Sequence, residues 1–190
     1  VEQTTYIVAA LGNPGREYER TRHNIGFMLA DLAAGAYPAG RWRSWKDLGS
    51  CFEVRLGGSR VFLLKPETYM NNSGLAVRSL ADFYKVSASG VIAVYDDLSL
   101  PFGAVRIRRG GTAGGHKGML SIAAAMGTQE IARIKIGIGP RPSGIDAKDF
   151  VLGRISKEEE VKLPPALERG LQALSAVLEK GLDEAMNLFN

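Results

Sequence analysis

Apolar positions along the chain change period several times, and each change predicts an element. Residues 4–11, "TTYIVAAL", form a short β-rich run that stops at "GNPG", where Asn-Pro and Gly predict a turn. From Arg22 the spacing becomes helical, with Ile25, Met28, Leu29, Leu32 and Ala33 on one stripe and Gly35 as its stop. The segments "CFEVRL" and "RVFLLK" flank Gly57-Gly58-Ser59 and predict a hairpin. "LAVRSLADFYKV" (75–86) is amphipathic and follows the cap-rich "NNSG"; "GVIAVYDD" (90–97) then predicts a buried strand ending in two carboxylates. "AVRIRR" is a further strand, a Gly-rich loop leads into the helical "MLSIAAAM", and "ARIKIGIG" is another strand. From about 164 to 189 a long amphipathic helix is predicted, with Leu167, Leu171, Leu174, Val177 and Leu178 on one face. No repeat or linker interrupts the pattern. Strands alternating with helices predict one α/β domain over residues 1–190, a three-layer sandwich whose mixed, largely parallel twisted sheet is flanked by helices.

Composition narrows the class. At 45% hydrophobic, 190 residues suffice for a full core. The 23 glycines cluster in "RRGGTAGGHKG" and "KIGIGP", which marks shaped loops rather than a low-complexity tract. The one cysteine, Cys51, lies in a predicted strand and reads as a buried, inert thiol, so no intrachain disulfide forms and a reducing compartment fits. No apolar run approaches the roughly 20 residues that span a bilayer, and no signal-peptide order opens the chain. The expectation is a cytoplasmic protein without a membrane partner.

Charge is more informative in its distribution than in its total of +4. Residues 101–150 hold eight basic residues (Arg106, Arg108, Arg109, Lys117, Arg133, Lys135, Arg141, Lys148) against three acidic ones, a local +5 that leaves the rest at −1. A basic field around a Gly-rich loop suits a polyanion, although a solvated basic face gives the same count.

The polar residues fall at element ends. Asn13 follows the first strand, Asn71 precedes a helix, Asp96 and Asp97 end a strand, and His116 lies in the Gly loop. In open α/β sheets, the crevice beyond the carboxyl ends of the strands is the usual ligand site. Each residue alone has a plain structural alternative: a turn former for Asn13, a helix cap for Asn71, a solvated acid for Asp97. His23, one of two histidines, sits where a helix starts. The positive end of a helix disfavours an imidazolium, which suits a base that must stay neutral, and a carboxylate such as Asp96 could orient it. No nucleophile elbow, Walker loop or H-E-x-x-H pattern is present, so water activated by a general base is the simplest chemistry and no metal is implied.

Four stretches then carry a resemblance: "IVAALGNPGREYERTRHNIGFMLADLAA" (7–34), "LLKPETYMNNSG" (63–74), "VYDDLSLPFGAVRIRRGGTAGGHKGMLSI" (94–122) and "RIKIGIGPRP" to "DFVLGRIS" (133–156). In order and spacing they resemble bacterial peptidyl-tRNA hydrolases. The resemblance implies a cofactor-free monomer that cleaves the ester between a peptide, or N-blocked aminoacyl group, and the 3′-terminal ribose of tRNA, recycling tRNA. It makes the His of "TRHN", His23, the general base and the first Asp of "YDDL", Asp96, its orienting acid. Asn13 of "GNPG" becomes the catalytic-site amide that recognises a blocked substrate, since an amide can bond a peptide backbone. Tyr18, Tyr69, Met70 and Asn71 line the substrate cleft, with His116 as a cleft or loop-ordering residue. Arg108, Lys135 and Arg141 take basic positions beside the acceptor stem, with the 3′ CCA end in the cleft, and 143–150 is a lid.

One position departs from the family: Lys117 stands where Asn is commoner. An ammonium only donates, so Lys117 could attract phosphate or polarise a carbonyl but not accept as an amide does. The rival reading is a non-catalytic RNA-binding homologue of the same fold; "GHKG" also fits the GxxG loop of KH modules, though the surrounding element order does not.

Overall fold

Strand β1 (Thr5–Ala10) is the hub of the sheet in the computed structural model, which describes residues 4–190. It runs parallel to a strand on either side, β4 (Ser59–Pro66) and β5 (Val91–Pro101). Ile7, Val8, Ala9 and Ala10 are fully buried, because both faces of a central strand are covered; hence the unbroken apolar run in the sequence. β7 (Ala132–Gly139) adds parallel to β5. Antiparallel strands close both margins: β2 (Arg43–Trp45) and β3 (Gly49–Leu56) beyond β4, and β6 (Val105–Arg108) beyond β7. The order is β2-β3-β4-β1-β5-β7-β6, a parallel core with antiparallel edges.

Helices cover both faces, giving the three layers expected. α1 (Ile25–Gly35), α5 (Lys157–Lys180) and α6 (Leu182–Phe189) pack on the face that includes Val8, Val94 and Ile136. On the other face α2 (Ser73–Tyr84) and α3 (Lys117–Met126) pack on Ile7, Ala9 and Tyr95. α1 approaches the sheet closely: a Cβ on Gly26 would lie 2.5–2.6 Å from backbone atoms of Leu11 and Val94, so glycine is required there.

Three expectations need correction. The strand holding Asp96 and Asp97 does not end there; β5 continues to Pro101, with a register irregularity between Asp97 and Pro101. The C-terminal helix starts at Lys157 rather than near 164, because Ser156 and Glu159 form a capping box. Pro164 and Pro165 lie inside it, where the carbonyls they leave without partners belong to exposed Glu160 and Val161 and face water. The helix also breaks at Gly181 (φ +86°), giving α5 and α6. Finally, β2 and the short α4 (Ala147–Val151) had no clear period in the sequence, being three and five residues long.

Candidate active site

A cleft of about 820 Å³ opens beyond the carboxyl ends of β1 and β4 and over the middle of β5. Its floor holds Asp96, 3% exposed, on β5. His23, 8% exposed, comes from a 3-10 turn (Arg22–Asn24) ahead of α1, and its Nδ1 lies 2.9 and 2.8 Å from Asp96 Oδ1 and Oδ2. His116, the residue before α3, reaches the same carboxylate through Nε2, 3.0 Å from Oδ1. The two imidazole rings are 5.0 Å apart. Burial alone would raise the Asp96 carboxyl, but attraction to His116 and His23 and their hydrogen bonds outweigh it and hold the group well below the usual carboxylate range. An ionised carboxylate only accepts, which assigns a proton to His23 Nδ1 and another to His116 Nε2. In the neutral ring His23 Nε2 therefore keeps its lone pair, and that ring lines the cleft.

Asn13 belongs to the same floor. Its Oδ1 accepts the Met70 amide at 2.8 Å, and the Asn24 side chain makes two 2.9 Å bonds to its backbone N–H and carbonyl. The Nδ2 donors of Asn13 have no protein partner among the described residues. The Met70 bond also steadies Tyr69, a bulky residue at φ +61°, an unfavourable left-handed conformation. Tyr69 and Tyr18 meet edge to face at 6.5 Å on one wall. Asn71 lines the cleft from an exposed turn and does not cap α2; Asn72 precedes that helix, without a side-chain capping bond.

The Gly loop also lines the cleft. Lys117 is the exposed first residue of α3 and has no ion pair among the described residues. Gly118 is buried where a Cβ would fall 2.5 Å from Met70 Sδ and 2.9 Å from Leu11 Cδ1, so any side chain there would displace those two side chains. Of "GHKG" only Gly118 is buried; Gly115 and Lys117 are exposed and His116 is half-buried. α4 supplies Ala147, Lys148 and Val151 to the rim.

The basic residues divide. Lys135 lines the cleft but pairs with Asp97 at 3.1 Å; Asp97 also binds the Ser99 amide and hydroxyl, and these contacts overcome its burial to lower its carboxyl. Arg133, counted above in the basic field, is 1% exposed and donates to the carbonyls of Ile131, Thr112 and Gln129; it ties the Gly loop to β7. Arg108 is half-buried on β6, outside the cleft, and Arg141 binds the Ile145 carbonyl. Arg106 was not singled out from sequence, yet sits exposed directly across from Lys135. Asn24 and Arg22, which binds Glu159 bidentately, were also missed; their only signal was adjacency to His23.

His23, Asp96 and His116 have the composition of a metal site, with ligand atoms within 4.8 Å of one another. Their facing atoms are 2.8–3.0 Å apart, hydrogen-bond separations. Ligands on one tetrahedral zinc stand roughly 3.3 Å apart. The arrangement is a carboxylate shared by two N–H donors. Cys51, its thiol pushed up to about 12 mainly by burial, offers no nucleophile.

Comparison with known proteins places this geometry. The peptidyl-tRNA hydrolase family profile matches residues 7–190. The chain belongs to that family. A peptidyl-tRNA hydrolase of Lachnoclostridium phytofermentans is 48% identical over 186 residues, covering 97% of this chain and 96% of the relative. One from Chloroflexus aurantiacus is 45% identical with similar coverage, 97% and 98%. The crystal structure of peptidyl-tRNA hydrolase from Acinetobacter baumannii superposes with a TM-score of 0.89 at 30% identity, over 100% of this chain and 97% of that one. The resemblance seen in the motifs thus extends through the C-terminal helices.

Proposed function

We propose that this protein hydrolyses the ester joining a peptide, or N-blocked aminoacyl group, to the 3′-terminal ribose of tRNA. The observation that carries the reading is His23, bonded through Nδ1 to both oxygens of buried Asp96 and turning its Nε2 edge to the cleft. His23 Nε2 takes a proton from water, and the resulting hydroxide adds to the ester carbonyl. Asp96 holds the ring in the required tautomer and stabilises the imidazolium. Collapse of the tetrahedral intermediate breaks the ester C–O bond; the ribose oxygen leaves with the proton from His23, and the peptide's new carboxylic acid gives its remaining proton to bulk water and departs as a carboxylate. Asn13 Nδ2, Asn71 and Lys117 are the donors available to the developing oxyanion or the peptide backbone. Tyr18, Tyr69 and Met70 give apolar and aromatic surface tolerant of peptide sequence and of the terminal adenine.

The tRNA reading rests on basic groups beside this cleft. Arg106 and Arg108 lie on the same sheet face as Lys135, which sits across from Arg106 and is met by Asp97, so Arg106 and Arg108 are the groups there without a carboxylate partner among the described residues. They suit phosphates of the acceptor stem while the 3′ CCA end enters the cleft. We take it to act as a monomer, in the cytoplasm where translation occurs. Among the described residues no helix is long and apolar enough to cross a membrane. A purely RNA-binding role would not call for a buried imidazole–carboxylate pair.

Release of N-acetyl-aminoacyl groups from charged tRNA, measured with EDTA present, tests the reading. The intact protein should cleave, and His23→Ala should be slower by roughly 10²-fold or more, as loss of a general base entails. Intact protein that binds tRNA without cleaving it would overturn the assignment.

A further inference from the structure

Asp96 serves two imidazoles, whereas general-base chemistry at His23 calls on one. While His116 Nε2 faces Asp96, its Nδ1 accepts the Met119 amide 3.3 Å away and caps the first turn of α3. With Nδ1 acting as acceptor, the proton of the neutral ring belongs on Nε2 and points at the carboxylate. A carboxylate that accepts a second N–H offers less negative charge to the first. We propose that His116 is a positioning residue whose hydrogen bond to Asp96 weakens that carboxylate's hold on a protonated His23, so that His23 remains available as a base to lower pH than Asp96 alone would permit. The inference rests on the hydrolase reading for its consequence, but the proton equilibrium exists in the free protein.

The other charged groups around the pair do not perform this task. Asp97 of β5 is engaged by Ser99 and by Lys135 of β7, and Arg22 beside His23 is engaged by Glu159 of α5. Lys117 of α3 and Asp146 and Lys148 at α4 are exposed on the cleft wall. Tyr95 of β5 holds its ring, tilted by 48°, 4.5 Å from that of His116, with its phenol pushed up to about 12 mainly by burial. Only His116 donates to Asp96 besides His23 among the described residues.

The chain has two histidines, so a variant at 116 leaves His23 as the sole imidazole, and its titration can be followed by ¹H–¹⁵N NMR without ambiguity. His116→Asn keeps a capping oxygen for the Met119 amide but is too short to reach Asp96. His116→Gln places an N–H near the original Nε2 but gives up the cap. The His23 midpoint should rise by about half a pH unit or more in the Asn variant and stay near wild type in the Gln variant. Thermal stability should fall more in the Gln variant, which separates tuning from capping. In the wild type, ¹⁵N shifts should report His116 as the Nε2–H tautomer, a check that needs no variant. An unmoved midpoint in His116→Asn, equal movement in both variants, or an Nδ1–H tautomer overturns the proposal. Because the readout is spectroscopic, a wild type that fails to cleave peptidyl-tRNA yet gives these midpoints would remove the hydrolase reading and leave the coupling intact.

Discussion

Asp96→Asn separates orientation from charge at the residue scale. The amide fills the same space, but it can donate toward His23 and no longer compels the Nδ1–H tautomer. Turnover should fall by about 10³–10⁴-fold, as for the corresponding change in a triad, with tRNA binding little altered; single-turnover and binding measurements distinguish the two. The same variant tests the acid limb of stability. Because the folded carboxyl is held below its ordinary value, its stabilisation is complete above roughly pH 4 and is lost as pH falls through the lowered folded value. Wild type should therefore lose melting temperature more steeply below about pH 4 than Asp96→Asn; equal slopes would mean that Asp96 is not ionised in the fold. His23, Asp96 and Asn13 were legible because each stands in a short motif, "TRHN", "YDDL" and "GNPG". The Asn24 clamp on Asn13 and the second imidazole on Asp96 were not, since they pair residues 11 and 20 positions apart through tertiary approach.

Among the elements, the junction of α1, α4 and α5 governs the cleft rim. Arg22 donates twice to Glu159, near 2.8–2.9 Å, and once to the Phe150 carbonyl, while its guanidinium lies 4.4 Å over the Phe150 ring. Backbone bonds from Arg22 to Gly153 and from Ile155 to Arg20 zip the end of α4 to the segment that carries His23. The far end of the expected 143–150 lid is thereby anchored, and any opening must come from residues before α4. Arg22→Ala should cost about 2 kcal/mol of stability, speed amide exchange over 147–155, and raise KM more than it lowers kcat. Unchanged exchange in that segment would show that the α5 capping box holds it without Arg22. Short α4 escaped detection because five residues give too little periodicity, whereas the S-x-x-E box at Ser156 was present in the sequence and outweighed by Pro164 as a start signal.

For the whole molecule, the basic field is smaller than the sequence count because folding assigns several charges to internal work. Arg133 is buried on carbonyls, Lys135 pairs with Asp97 and Arg109 with Asp183, leaving Arg106, Arg108, Lys117, Arg141 and Lys148 without carboxylate partners among the described residues, of which Lys117 and Lys148 line the cleft. If Lys117 contacts a 3′-terminal phosphate, Lys117→Asn should lower the log–log salt slope of tRNA binding by about 1 while cleavage at saturating substrate is kept or improved. An unchanged slope with a large loss of turnover would instead place the ammonium at the ester. The sequence by itself determined the strand and helix periods, the turns and the residues able to do chemistry, because periodicity, capping and turn preference act over a few neighbouring positions. Only the tertiary structure decided the strand order that gathers β1, β4 and β5 at one crevice, the sharing of Asp96 by two histidines, and which cations remain free. Those depend on burial and on contacts between residues as far apart as His23 and Asp96, 73 positions along the chain, where local pattern carries no distance information.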